Sequence, residues 1–343
     1  MKTVKIANAQ GFWGDRKNAA ADLLSKVPDI DYITFDFLAE ISLSIMALEK
    51  EKGRPAFAQD FPKIIATLVP FWNEGLPFKV IANAGGLDPK ACAEALIFEL
   101  ANLNRSLKIA YVTGDNVLDD LQQASAHEFQ NLENDLCIGS IQQKLISANA
   151  YLGADVIKEA LEYGADIVIT GRVADPSLTV GPCLHEFDWN SEDYDKIAAA
   201  TIAGHLIECG TQVTGGISTK WLEVEDVAHM GFPIVEIDST GLFVITKPDQ
   251  TGGVVNIDTV KEQLLYEIGD PNHYISPDVT VSFTRLELEQ KGPNRVEIKQ
   301  AKGREATDTY KVAATYRAGY RSEAILIVYG DQAVRKARRM GQM

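Results

Sequence analysis

Phe78-Lys79-Val80-Ile81-Ala82-Asn83-Ala84-Gly85-Gly86-Leu87-Asp88-Pro89 is an apolar run of strand length, closed by two glycines and followed by an Asp-Pro pair that opens a helix. Asp88 stands where a helix N-cap belongs, and the helix it starts is expected to run to about Leu103. The same unit recurs on both sides. Upstream, Thr3 to Ala9 is a first strand, and residues 15–27 place Ala19, Ala20, Leu23, Leu24 and Val27 at helical spacing. Asp31 to Phe35 is a second strand, followed by a helix through Leu38, Ile41, Ile45 and Leu48 and another over residues 59–73. Downstream, Leu107 to Val112 is a fourth strand and residues 143–150 a fifth. Ala154 to Tyr163 is a helix, and Asp166 to Thr170 a sixth strand, closed by Gly171.

Strands alternating with helices of this length predict an α/β fold built on a mostly parallel sheet. A closed (β/α) barrel shares that local grammar. About six strands with irregular connections favour an open, doubly wound sheet. After a helix over residues 192–209 the texture changes. Ile234 to Ile245 alternates around Asp238-Ser-Thr-Gly241, a hairpin pattern. Val279 to Leu288 with Arg295 to Lys299 predicts a second hairpin, and Tyr310 to Tyr316 and Glu323 to Tyr329 two more strands. The expected organisation is a parallel-sheet α/β domain over 1–215, a smaller α+β region with antiparallel hairpins over 216–330, and a basic helix over 331–343. No Gly/Ser/Pro-rich linker separates the first two, which predicts one rigid body with a cleft at their junction.

The chain has 343 residues, 46% of them hydrophobic, enough for a substantial core. No apolar run approaches the length of a membrane span, and the N-terminus has no signal-peptide pattern. Four scattered cysteines without a Cys-x-x-Cys pair read as reduced thiols, so a cytoplasmic protein is expected. The net charge of -15 disfavours nucleic acid and anionic membranes as partners. A small anionic substrate stays compatible with it, since a few local cations override the global sign.

Ligands of open parallel sheets bind beyond the carboxyl ends of the strands, and those loops are rich here. They read Gly11-Phe12-Trp13-Gly14-Asp15, Asp36-Phe37-Leu38-Ala39-Glu40, Asn83-Ala84-Gly85-Gly86, Thr113-Gly114-Asp115-Asn116 and Thr170-Gly171-Arg172-Val173-Ala174-Asp175. The triplet Ala-Asn-Ala occurs three times, centred on Asn8, Asn83 and Asn149. The glycines Gly11, Gly14, Gly85, Gly86 and Gly114 either make tight turns or bring backbone N–H groups to an anion. Asp15, Asp36, Glu40 and Asp175 are candidate acids and bases, since carboxyls facing one another split their pKa values. Asp115, Trp13 and Asn83 are candidates for binding. Asp15 reads equally as a helix cap. Arg172, whose planar fork binds a carboxylate or phosphate bidentately, reads as an anion clamp or as a salt bridge. Thr246-Lys247-Pro248-x-x-Thr251-Gly252-Gly253 either closes Lys247 and its Gly252-Gly253 turn over an anion or is a long hairpin exit. Asp308-Thr309-Tyr310-Lys311 offers a hydroxyl and an amine at a strand start. His205, Glu208 and Cys209 share one helix face, ligand types zinc accepts. The bland reading of that helix buries Cys209 and leaves His205 at its edge, and no metal site is assigned.

Gly-x-Gly-x-x-Gly after the first strand, a P-loop, His-Glu-x-x-His and Gly-x-Ser-x-Gly are all absent. No nucleotide cofactor motif, zinc protease or serine hydrolase signature is therefore present, and the cofactor is left unassigned.

The runs 11–15, 36–40, 83–86 and 170–175 resemble the acyclic terpene utilisation protein A family. So do His-Leu-Ile-Glu-Cys-Gly-x-Gln-Val-Thr-Gly-Gly (205–216), Thr-Lys-Pro-x-x-Thr-Gly-Gly (246–253), Leu-Leu-Tyr-Glu-Ile-Gly-Asp-Pro (264–271) and Asp-Thr-Tyr-Lys-Val (308–312). The resemblance implies a part in degrading branched acyclic terpenoids such as citronellol and geraniol, whose acids are handled as CoA esters. It carries no settled catalytic residues. Family members often extend further, so the chain resembles their N-terminal part, and a homo-oligomer or a partner subunit supplying the remainder is expected. The expected activity is acid/base chemistry on a branched acid or its CoA thioester, of the hydration, dehydration or isomerisation kind found in lyases. A non-catalytic acyl-binding subunit of a carboxylase or hydratase system and a Mg-dependent phosphate-ester hydrolase are the alternatives.

Overall fold

Ile167, Val168 and Ile169 have no exposed surface, because parallel strands flank them and helices cover both faces of the sheet they belong to. The computed structural model describes residues 2–342. In chain order its first part comprises β1 (Thr3–Asn8), α1 (Ala19–Lys26), β2 (Tyr32–Phe35), α2 (Glu40–Glu51), α3 (Phe61–Ala66), α4 (Val69–Asn73), β3 (Lys79–Ala82), α5 (Pro89–Asn102) and β4 (Ile109–Tyr111). Then come α6 (Leu118–Gln123), β5 (Leu145–Ala150), α7 (Asp155–Glu162), β6 (Ile167–Ile169), α8 (Ser177–Phe187) and α9 (Tyr194–Glu208). The remainder holds β7 (Ile234–Asp238), β8 (Phe243–Thr246), α10 (Ile257–Leu265), β9 (Tyr274–Ile275), β10 (Thr280–Ser282), β11 (Glu287–Gly292), β12 (Arg295–Lys299), β13 (Lys302–Arg304), β14 (Val312–Tyr316) and α11 (Ala333–Met340). No helix among the described residues is long and apolar enough to cross a membrane.

The main sheet is nine-stranded and mixed, ordered β11-β12-β8-β7-β1-β2-β3-β6-β4. From β1 to β4 every pairing is parallel. From β1 in the other direction every pairing is antiparallel. The sheet is open, as expected, with β4 and β11 at its edges. Side chains of successive strand residues point to opposite faces, and two cores result. Ile6, Tyr32, Ile81 and Val168 pack under α7, α8 and α9, whereas Ile33, Phe35, Val80 and Ile169 pack under α1, α3 and α5.

The structure corrects several expectations. The hairpin β7–β8 forms as expected, but β7 also pairs along β1 from Thr3↔Asp238 to Ala7↔Ile234 and so continues the main sheet. The physical reason is the row of unpaired backbone groups that β1 would otherwise leave at its edge. β5 is a strand, but it leaves the main sheet and pairs with β14. The run 279–288 divides, with β10 in a small sheet beside β13 and β9, and only β11 in the hairpin with β12. Residues 323–329 are not a strand, and all but Val328 lie exposed. Asp88 caps α5, accepting from the Ala91 N–H at 3.0 Å, whereas α1 begins only at Ala19 with Asn18 as its cap, so Asp15 caps nothing.

Candidate functional site

Because β1, β2, β3, β6 and β4 run parallel, the loops after their last residues gather at one end of the sheet. Asp36 follows β2 directly. Its Oδ1 accepts from Asn83 Nδ2 at 2.7 Å and from the Leu38 N–H at 3.3 Å, while Asn83 Oδ1 accepts from the Phe37 N–H at 2.7 Å. Asn83 thereby locks the loop after β2 to the loop after β3. All three Ala-Asn-Ala asparagines are buried and play comparable parts. Asn149 donates to Asp115 Oδ2 at 2.8 Å, and Asn8 donates to the carbonyls of Ile207 and Glu208, both at 2.7 Å.

Arg172, only 2% exposed, is the one cation inside this cluster among the described residues. Its Nη1 lies 3.1 Å from Asp175 Oδ1 and its Nη2 3.3 Å from Asp175 Oδ2, and Nη1 donates to the Leu38 carbonyl at 2.6 Å. The guanidinium lies over the Tyr151 ring, 4.0 Å from its centre, a cation–π contact. The Tyr151 hydroxyl donates to Glu40 Oε1, which Lys311 approaches at 3.4 Å. The Arg172 backbone N–H donates to Asp115 Oδ2 at 2.8 Å. With its Oδ2 accepting from both Asn149 and the Arg172 N–H, Asp115 is a clasp between loops.

Protonation follows from burial and crowding. Burial pushes the Asp36 carboxyl well above the ordinary carboxylate range, reinforced by Asp175 and Glu208 and opposed by Asn83 and Arg172. Glu208 is likewise pushed well up by burial and by the charges of Asp175 and Glu267. Burial raises Asp175 too, against the pull of Arg172. For Glu40, the Tyr151 hydroxyl, Lys311 and Arg172 outweigh burial and hold the carboxyl down to about 2. The cluster thus holds carboxyls pushed upward beside one held down. Burial also pushes the Cys209 thiol up, so it stays protonated.

Next to these groups lies a cavity of about 190 Å³ lined by Phe12, Trp13, Phe37, Leu38, Ile41 and Ile45, among others. Its floor, Phe37-Leu38, is the backbone that follows Asp36. Its rim is solvent-facing: Phe12 is 61% and Ile41 70% exposed.

Other expected site residues sit elsewhere or do other work. Asp15 folds back on its own loop, accepting from the Gly11 N–H at 3.1 Å. Gly11 lies so close to Cys209 that a Cβ would come within 2.6 Å of the Cys209 carbonyl carbon. Trp13 donates to Asp60 Oδ1 at 3.0 Å. Gly14 and Gly114 are exposed and have positive φ. The N–H groups of Gly85 and Gly86 donate to the carbonyls of Thr170 and Asn83, which leaves neither for a ligand. Gly86 has φ +53, and an added Cβ would lie 2.2 Å from Met46 Sδ. We expect Gly86→Ala to lower stability by about 1–3 kcal/mol; an unchanged denaturant midpoint would contradict this packing role. Lys247 is buried and donates to the Thr251 carbonyl at 2.7 Å and hydroxyl at 3.1 Å, while the Gly252 and Gly253 N–H groups serve the carbonyls of His229 and Glu225. That motif is a loop clasp beside a second cavity, which Arg16, Lys26, His229 and Thr251 help to line.

Glu208, Tyr151 and Glu267 belong to the cluster although sequence reasoning did not place them there as acid/base groups. His205 is 2% exposed rather than at an edge, since α9 is buried on all sides from Ile197 to Glu208. No cluster of three or more potential metal ligands occurs among the described residues. A family model, that of acyclic terpene utilisation family protein AtuA, matches residues 4–343. No curated protein and no solved structure matches the chain.

Proposed function

From the premise that the chain belongs to the acyclic terpene utilisation AtuA family, we propose that it is an acid/base enzyme acting on a branched acyclic carboxylic acid or its CoA thioester. Membership supports a place in acyclic terpenoid breakdown. The observation that carries the finer reading is the apolar groove of Phe12, Trp13, Ile41 and Ile45, whose Phe37-Leu38 wall directly follows Asp36, a buried carboxyl that burial pushes well up. A branched hydrocarbon chain fits the groove by the hydrophobic effect. The carbonyl end then reaches the carboxyl cluster.

Asp36 is the proton donor in this reading. Its Oδ1 is pinned by two N–H donors, and its second oxygen faces no partner among the described residues. Asp175 is the opposing carboxylate, oriented by both arms of Arg172. Arg172 is therefore assigned to holding Asp175 and lowering the cost of negative charge in the cleft, a task its fork suits. Proton donation at one atom and removal at another is the chemistry of hydration, dehydration or double-bond isomerisation next to a carbonyl.

The geranic acid CoA thioester and a straight-chain acyl-CoA of equal length serve as probes in a titration and turnover assay. The branched thioester should bind more tightly, and Ile41→Glu should weaken it about ten- to a hundredfold without loss of stability, since Ile41 is 70% exposed. Equal affinity of wild type and Ile41→Glu would remove the groove from the proposal.

A further inference from the structure

We propose that Glu208 and His205 form a proton relay in the cleft, in which Glu208 exchanges a proton with the substrate through Oε2 and His205 stores the proton released from Oε1. The proposal rests on the acid/base reading above and names two residues beyond it. Both lie on the same face of α9, three residues apart, at 2% and 8% exposure. His205 Nε2 is 2.9 Å from the Gln263 carbonyl, which can only accept, so Nε2 carries hydrogen. His205 Nδ1 is 3.1 Å from Glu208 Oε1. With Nε2–H fixed, that contact is a hydrogen bond only if one proton lies between Nδ1 and Oε1. The pair is thus a proton store by geometry alone.

Its outer end is unpaired. Glu208 Oε2 is buried without a partner, and so is Gln263 Oε1. A buried acceptor left unpaired costs stability, and pairing with a bound substrate is a use that accounts for the cost. Gln263 Nε2 donates to the His205 carbonyl at 3.2 Å, and Asn8 holds the last turn of α9 against the end of β1. The Glu208 carboxyl is thereby delivered to the strand end that carries Asp36. The charged and titratable groups around the pair are Asp36, Asp175, Arg172, Glu267, Cys209 and Tyr274. Burial raises Glu208 and lowers His205, and both directions favour the arrangement in which a carboxylic acid donates to a neutral imidazole.

The cycle balances. Oε2 takes a proton from a substrate carbon next to the carbonyl, whose bonding electrons stay on the substrate as an enolate. The proton on Oε1 moves to Nδ1. Glu208 remains neutral, His205 becomes an imidazolium, and the pair carries the charge opposite to the enolate. Once Asp36 has protonated another substrate atom, the Oε2 proton passes to Asp36 and draws the Nδ1 proton back to Oε1, with no net gain or loss.

The test starts on the ligand-free protein at neutral pH. Nitrogen NMR should show His205 as the neutral Nε2–H form, identified by its loss in His205→Gln. Infrared difference spectra should show a carboxylic-acid band that vanishes in Glu208→Gln. On the geranic acid CoA thioester, Glu208→Gln should lower kcat about 10²–10⁴-fold. His205→Gln should lower it less and flatten one limb of the pH profile. An ionised Glu208 in the free protein, or a Glu208→Gln enzyme with the wild-type kcat and pH profile, would overturn the relay. A wild type inert towards the probe defeats the substrate assignment instead, and the spectra alone then decide the relay.

Discussion

Arg172→Met should be the most damaging single substitution in the chain, lowering stability by about 3–5 kcal/mol, the range for breaking a buried ion pair from one side. Four interactions end together: both contacts to Asp175, the 2.6 Å bond to the Leu38 carbonyl and the stacking on Tyr151. What remains is worse than what is lost. Asp175 would sit in a low-dielectric space without its guanidinium, and the Leu38 carbonyl would lose the Arg172 donor. Arg172→Lys should recover only part of the loss, because an ammonium keeps the charge but not the fork. Removing both partners, as in Arg172→Met with Asp175→Leu, should recover more than half, since an apolar pair leaves no orphaned charge. Urea titrations of the variants would show it. A wild-type midpoint for Arg172→Met would mean that the pair is not the keystone of the cluster.

Asp36→Asn should have opposite effects on turnover and stability. Loss of the proton donor should lower kcat about 10²–10⁴-fold. Asparagine can still accept from Asn83 and the Leu38 N–H, so the loop should hold. The folded protein raises the Asp36 pKa above its unfolded value, so the folded state binds more protons in the window between the two values. Stability from this group is complete below the unfolded pKa and is lost as pH rises through the folded pKa. An amide has no such dependence. Asp36→Asn should therefore match wild type in acid and become the more stable protein as pH increases. Denaturant midpoints measured across pH would reveal the divergence. Parallel curves would show that Asp36 is an ordinary surface-like carboxylate.

The cleft was legible because it is built from short signals. Each strand is a compact apolar run, and parallel strands place the residues after Phe35, Ala82 and Ile169 at one end, so Asp36, Asn83, Arg172 and Asp175 could be grouped before their contacts were known. The Ala-Asn-Ala repeat marked three buried amides by position alone. What was not legible is long-range or all-round. Alternation around Asp238-Ser-Thr-Gly241 shows a hairpin, but not that its first strand joins β1 more than two hundred residues earlier in the chain. α9 is buried on every side, so no polar stripe marked where His205 and Glu208 point. The glycine pair at 85–86 looked like a set of N–H donors, and only the Thr170 and Asn83 carbonyls show those donors already taken. Residues 323–329 have the composition of a strand, yet a strand needs a partner, and none lies beside them among the described residues.

A high-resolution crystal structure of the protein soaked with geranic acid tests the central claim most directly. The branched chain should lie along Phe12, Trp13, Ile41 and Ile45, with its carboxyl within hydrogen-bond reach of Asp36. Density confined to the second cavity, beside Arg16, Lys26 and His229, would contradict the assignment of the strand-end cleft as the active site.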